Sequence, residues 1–255
     1  MMDRGVSFSV ASHAAWAPGL DTEAAWQAWA RNPFTIAGQA DAAVSAMPAM
    51  LRRRAGFVGK MALEVAYRCL DGQTDVPTVF CSRHGECTRS VELLSDLAQE
   101  LPLSPTAFSL SVHNAAAGLF SIARHDQGSH SALSAGHSGV EHAVIEACGL
   151  LADGAPSVLL VVYDGVLPEV FHAFQNCQEQ SFAWAWLMQP ASADSAETMS
   201  LSWAGVDGKG NAVTTAAAPD LQQPGGLDVL AFYLRRDPEL ARTVDARCWR
   251  WERHA

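Results

Sequence analysis

The sequence predicts an α/β fold built on one five-stranded mixed, mostly parallel sheet with helices on both faces. Three observations lead there. Strand-like and helix-like hydrophobic patterns alternate through most of the 255 residues. The run Ser157 to Tyr163 (SVLLVVY) is apolar on both faces, as a central strand in a sheet covered on both sides is. No internal repeat and no linker interrupts the chain, so residues 1–255 are expected to form a single domain.

The elements follow in order. Val6, Phe8 and Val10 alternate with small residues and mark a strand over 6–12. A Trp- and Ala-rich segment, 14–31, and an irregular stretch to about residue 50 come next. Residues 56–70 read as a helix with Phe57, Met61 and Val65 on one stripe, stopped by Asp71-Gly72. Residues 77–82 form a short buried strand ahead of the turn Arg83-His84-Gly85-Glu86. Residues 90–100 make an amphipathic helix, with Val91, Leu94 and Leu97 on one side. A second helix over 112–123 carries the small run Ala115 to Gly118, which permits close approach of another backbone. A strand over 130–135, a helix over 139–153 stopped by Asp153-Gly154, and strands over 157–163 and 182–188 complete the five-stranded sheet. A loop is expected to about Pro224, then a helix over 227–236 and an aromatic tail at Trp249 to Trp251, so residues 191–255 have no clear assignment.

Composition narrows the function. Hydrophobic residues make up 49% and charged residues 17%, a globular balance sparse enough in charge to suit either a covered surface or an Ala-rich core. The net charge of −10 disfavours nucleic acid, because backbone phosphates would repel it. It equally disfavours direct docking of another acidic protein, except beside the basic run Arg52-Arg53-Arg54. The six cysteines show neither zinc spacing nor a disulfide framework. The N-terminus lacks the apolar core of a signal peptide, and no run of about 18 apolar residues predicts a membrane span. A cytoplasmic protein is expected. Histidines 113, 125, 130, 137 and 142 lack the i, i+4 pairing of zinc hydrolases, so no metal and no cofactor are expected.

Residues 103–164 carry the informative order. Ser104-Pro105 leads into a helix with Asn114 and the small run 115–118. Gly128 precedes a short strand ending at Ala135-Gly136-His137-Ser138-Gly139, and a helix, Asp153-Gly154 and an apolar strand follow. This order resembles the N-terminal domain of the β-ketoacyl synthases, members of the thiolase-like superfamily, over about residues 5–190. The resemblance implies a thiolase-like half fold. It also aligns the family's nucleophilic cysteine with Gly136, so no catalytic residue is expected: without a thiolate at a helix start no acyl-enzyme forms. The family's two catalytic histidines come from a C-terminal half that this sequence is expected to lack.

The chain also resembles short chain-length-factor-like proteins of aryl-polyene and related pigment pathways. That implies an auxiliary subunit in fatty-acid-like or polyene biosynthesis, paired with a partner ketosynthase as a heterodimer or self-associating, with an acyl carrier protein engaged only indirectly, on the partner or beside Arg52-Arg53-Arg54. Its substrate-pocket candidates are Phe108, His113, Asn114, Leu119 and Phe120. Ketosynthases dimerise through the strand before the nucleophile. Carried over, this makes 129–134 and 114–122 the contact surface, with Ala116, Gly118, Ser129, Ser131 and Leu133 as interface candidates; close packing of 115–118 inside one monomer is the alternative. His113 either donates to a ligand carbonyl or caps its helix. A module that simply holds an acyl chain is a further reading. A rival enzyme reading takes Gly136-His137-Ser138 as a degenerate nucleophile elbow. Ser138 would then be the nucleophile, Asp164 the orienter and His172 or His254 the base, although Val140 replaces the second glycine.

Overall fold

The structure, a computed structural model, describes residues 4–192, 197–205 and 223–254. The chain runs β1 (Arg4–Trp16), α1 (Glu23–Arg31), α2 (Ala49–Arg52), α3 (Phe57–Leu70), β2 (Thr78–Cys81) and α4 (Cys87–Ala98). It continues through α5 (Pro105–Ser109), α6 (Ala115–Arg124), β3 (His130–Leu133), α7 (Gly139–Ala152), β4 (Val158–Asp164) and β5 (Phe182–Pro190). Last come β6 (Thr198–Gly205), α8 (Gly225–Arg235), β7 (Glu239–Val244) and β8 (Arg247–His254). Short 3-10 turns cover Gly136–Ser138 and Glu169–Phe174.

Among the described residues, one sheet holds eight strands in the order β3-β2-β4-β5-β1-β6-β8-β7. The α/β class with a mixed sheet holds, but the expected count of five is corrected to eight. The five predicted strands lie side by side from β3 to β1, and β6, β8 and β7 extend the sheet beyond β1. The expectation of a mostly parallel sheet is also corrected. Only β2 runs parallel to its neighbours β3 and β4, and every other pairing is antiparallel. The physical reason lies in the connections: helical crossovers join β2 to β3 and β3 to β4, whereas β4 reaches β5 without a long helix and β7 turns directly into β8.

Each face of the sheet carries its own core. Val158, Leu160 and Val162 of β4 and Trp184 and Trp186 of β5 pack under α1, α7 and α8. Leu159, Val161 and Tyr163 with Ala183 and Ala185 face α3 and α6. This alternation is the period-two geometry of strands, and it explains why β4 reads as a continuous apolar run. In β1 a bulge between Val10 and Ser12 breaks the parity. Phe8 therefore joins the first core and Trp16 the second.

The helices start and stop where local chemistry dictates. Thr22 caps α1 by accepting from the Ala25 N–H at 3.2 Å, with Glu23 in the first turn and Arg31 in the last. That helix falls in the Trp- and Ala-rich segment and buries Trp26 and Trp29. Asp71 ends α3 in the left-handed conformation, at the predicted stop. The aromatic tail is a strand, β8, whose Trp249 and Trp251 are fully buried. The predicted loop before Pro224 contains β6; residues 193–196 and 206–222 of that stretch lie outside the described residues. Among the described residues no helix is long and apolar enough to cross a membrane.

Candidate functional site

The parallel strands β2, β3 and β4 end together, and the carboxyl ends of parallel strands are where open α/β sheets place their sites. Two turns meet there: 82–86 after β2 and 134–138 after β3. The Ser134 hydroxyl donates to the Arg83 carbonyl at 2.9 Å and ties one turn to the other.

Asp164, at the end of β4, organises the first turn. Its Oδ1 accepts from the Ser82 hydroxyl (3.1 Å) and the Arg83 N–H (2.8 Å), and its Oδ2 accepts from Arg83 Nε at 3.0 Å. The Arg83 guanidinium also lies 3.1 Å from Glu179 and donates to Asn176 at 2.9 Å and to the Cys177 sulfur at 3.0 Å. Burial pulls the pKa of Arg83 down, but the attraction of Asp164, Cys177 and Glu179 outweighs it and keeps the side chain firmly protonated. The Ser82 hydroxyl also accepts from the Gly85 N–H at 2.8 Å. His113 packs over Gly85, where a Cβ would meet its ring at 2.9 Å, and its Nε2 bonds the Ser82 carbonyl at 2.8 Å.

Gly136 occupies the second turn at φ +56°, a left-handed conformation that glycine adopts freely and other residues adopt at a cost. Its missing side chain would point toward Asp245, whose Oδ2 would lie 3.9 Å from the Cβ. Asp245 comes from the β7–β8 turn. Its Oδ2 accepts from Ser138 N at 3.1 Å and Ser138 Oγ at 2.7 Å, and its Oδ1 lies 3.4 Å from His137 Nδ1. Burial nudges the carboxyl pKa up, yet the bonds from Ser138 and the neighbouring His137 prevail and hold it below the usual carboxylate value. Beside it, Arg242 pairs with the fully buried Glu141 of α7 and reaches Asp228 of α8 at 3.5 Å.

The residues proposed from sequence are spread across different surroundings. Leu119 and Phe120 are core residues; the Phe120 ring packs edge-on to Tyr67 with centroids 5.0 Å apart. Phe108 is 66% exposed on α5, and Asn114 is exposed at the start of α6 without a side-chain cap bond. Among the interface candidates, Ala116 is 1% exposed and packs within the monomer. Gly118 faces open space, Ser129 is exposed, and Ser131 and Leu133 sit half-buried on β3, one of the sheet's two edge strands among the described residues. For the hydrolase reading, the Ser138 hydroxyl donates to Asp245, whereas Asp164 is engaged by Arg83 and His254 bonds Ser200 at 2.8 Å. His172 lies in the 3-10 turn Glu169–Phe174. Sequence reasoning missed Asp245, Arg242 and Arg83. Only Arg83 carried a local signal, its place in the turn after a buried strand.

A cleft of about 880 Å³ opens beside the first turn, lined by Phe57, Val58, Arg89, Val166 and the carboxyl group of Glu86. Glu86 immediately precedes α4, and its carboxyl group lies against the start of α3, where it accepts from the Gly59 N–H. Gly56 and Gly59 are needed there because a Cβ on either would collide with its carboxyl group. Burial, helped by Glu92 and opposed by Arg89 and Gly59, raises its pKa to about 7. An unfolded glutamate titrates near 4.5, so the native state holds an extra proton between about pH 4.5 and 7, and stability falls as pH rises through that window. Glu86→Gln keeps the acceptor but never ionises. It is expected to match the wild type at pH 4.5 and to exceed it at pH 8 by at most roughly 3 kcal/mol, from ~2.5 pKa units at ~1.36 kcal/mol each. Urea titrations at the two pH values check this; an equal difference at both would contradict it.

Comparison with known proteins places this arrangement. The model of the β-ketoacyl synthase N-terminal domain matches residues 26–252. No curated protein sequence matches the chain. Among solved structures, the chain is similar to one in the complex of the ketosynthase ApeO with its chain length factor ApeC from Xenorhabdus doucetiae. There the TM-score is 0.79 at 24% identity, over 97% of this chain and 99% of that one. It is also similar to the ishigamide ketosynthase/chain length factor, at TM-score 0.54 and 12% identity over 73% of this chain and 59% of that one. A β-ketoacyl synthase from Burkholderia phymatum gives TM-score 0.51 and 13% identity, over 74% and 60% of the two chains. The chain thus spans about three fifths of the last two and nearly all of the first, and the shared fold is thiolase-like. Because the matched span takes in the Gly136 turn, the Arg83 cluster and the C-terminal hairpin alike, the chain belongs to the β-ketoacyl synthase N-terminal domain family.

Proposed function

We propose that this chain is a chain-length-factor-like subunit without condensing chemistry, acting beside a partner ketosynthase in a fatty-acid-like or polyene pathway of the cytoplasm. The observation that carries the reading is the Gly136 turn. A strand-to-helix turn stands at the position that the resemblance gives the family's nucleophile, but the residue there has no side chain and a carboxylate faces it. Covalent acyl transfer needs a thiolate at that point.

Two further features support a partner. The helix α4 is amphipathic yet buries none of its residues, leaving Leu94 and Leu97 more than half exposed. Phe108 and Ile122 are likewise exposed at 66% and 60%, and among the described residues β3 presents an unpaired edge. Apolar surface of this kind marks an interaction site. A chain of nearly the same length stands within a ketosynthase–chain length factor complex, which favours the same arrangement here. The mechanism is steric. Side chains such as Phe108, projecting from this surface, limit or position an acyl chain growing in the partner, where one methylene is worth about 1–3 kcal/mol. With a net charge of −10, the chain leaves carrier-protein docking to the ketosynthase.

The test is co-expression with a ketosynthase encoded nearby, affinity purification, and product analysis with and without this chain. Co-purification with an altered product length is expected, and Ile122→Glu, a surface change with unaltered thermal stability, is expected to lower complex recovery at least tenfold. A chain that stays alone, or products indifferent to its presence, would overturn the proposal.

A further inference from the structure

We infer that Asp245 is the resident anion of the Gly136 turn: this chain's own β7–β8 hairpin delivers a carboxylate to the place where the family's acyl-carrying group stands, and Arg242 latches the hairpin there. The inference rests on reading Gly136 as the nucleophile position. It goes beyond the loss of a cysteine, because it says that the vacated site has been filled and that restoring a thiol alone would not restore its reactivity.

The geometry supports a built contact. Asp245 and Ala246 are both left-handed, at φ 51° and 55°, and form the two-residue turn that closes β7 onto β8 with Val244 opposite Arg247. The turn carries Asp245 to the start of α7, where its carboxylate takes both the N–H and the hydroxyl of Ser138. The Ser138 N–H is one of the free donors at a helix start, the kind of group that would stabilise a thiolate or a developing oxyanion. Here it is already satisfied by a charge of the same sign. Two residues before the turn, Arg242 fixes the strand: it pairs with buried Glu141, faces Asp228 at 3.5 Å and donates to the His137 carbonyl at 3.3 Å. The first turn of α7 is therefore gripped from 107 and 101 residues away in sequence, by the turn and by the strand of one hairpin.

The experiment compares Gly136→Cys with Gly136→Cys/Asp245→Asn. Alkylation of the introduced thiol by iodoacetamide is followed by peptide mass spectrometry from pH 6 to 10, which separates it from the six native cysteines. A carboxylate beside the thiol disfavours the thiolate. The double variant is expected to react roughly three- to tenfold faster at pH 7, with its profile displaced to lower pH, and superimposable profiles would overturn the inference. Should Gly136→Cys not fold, Asp245→Asn alone is read by hydrogen exchange. The amides of Ser138 and residues 243–248 are then expected to exchange about tenfold faster, and unchanged protection would sink the latch. Neither readout needs a partner, so this inference and the subunit proposal fail separately.

Discussion

Arg83→Met is expected to unfold roughly 10 °C below the wild type, a loss of roughly 3–5 kcal/mol, the usual consequence of removing one partner from a buried ion pair. The side chains of Arg83, Asp164 and Glu179 are 10%, 6% and 2% exposed, so the substitution leaves two carboxylates buried with no counter-charge. Asp164 keeps the Ser82 hydroxyl and a backbone N–H, which bounds the loss; Glu179 keeps two distant contacts, to His84 Nε2 and to the Cys177 thiol, each at 3.9 Å. Arg83→Met/Asp164→Asn, which also removes one stranded charge, is expected to recover part of the stability. Thermal and urea unfolding measure both, and a loss under 1 kcal/mol in the single variant would show that the cluster is not an electrostatic anchor. The consequence reaches the second turn, because the Arg83 carbonyl holds Ser134 two residues before Gly136.

The five strands readable from sequence are those whose apolar runs are long or flanked by turn residues, and they lie together in the sheet. The three missed strands are also periodic. Met199, Leu201 and Trp203 alternate with serines in β6, and Trp249 and Trp251 flank Arg250 in β8. What hid them was context. The segment holding β6 is rich in Ala, Ser and Gly, and Asp245-Ala246 lacks the glycine that normally announces a two-residue hairpin turn. In α1, Trp26, Trp29 and Ala30 already stand at helical spacing.

The site was legible to the extent that it is local. The order strand, Gly136, helix located the turn, and it absorbed Ser138 as a neighbour. Asp245 joins that turn across 107 residues, a pairing that no local pattern encodes. The pocket and interface candidates on α6 show a second limit. An apolar helix face looks the same whether it meets its own core or a partner, and here Ala116, Leu119 and Phe120 meet the core while Ile122 faces outward. Exposure, not hydrophobicity, separates the two, and exposure belongs to the tertiary structure.

Trp251→Ala is expected to cost roughly 3–5 kcal/mol, the range for truncating a large aromatic side chain in a core. The residue is fully buried, with ring centroids 6.4 Å from both Trp186 and Phe232, so it joins β8 to β5 in the centre of the sheet and to α8 above it. The way the loss appears matters more than its size. If residues 1–255 form one folding unit, as we propose, the variant unfolds in a single transition at lower denaturant, with fluorescence and far-UV circular dichroism coincident. Combined with Arg83→Met, on the far side of the sheet order, it shifts that same transition again by a nearly additive amount. Were the C-terminal strands an appended layer, Trp251→Ala would instead melt them first and leave hydrogen-exchange protection in β2 and β4 at its wild-type level. Loss of protection in both regions together would mean that the hairpin carrying Asp245 is held by the whole fold, and that the anion facing Gly136 persists for as long as the protein stays folded.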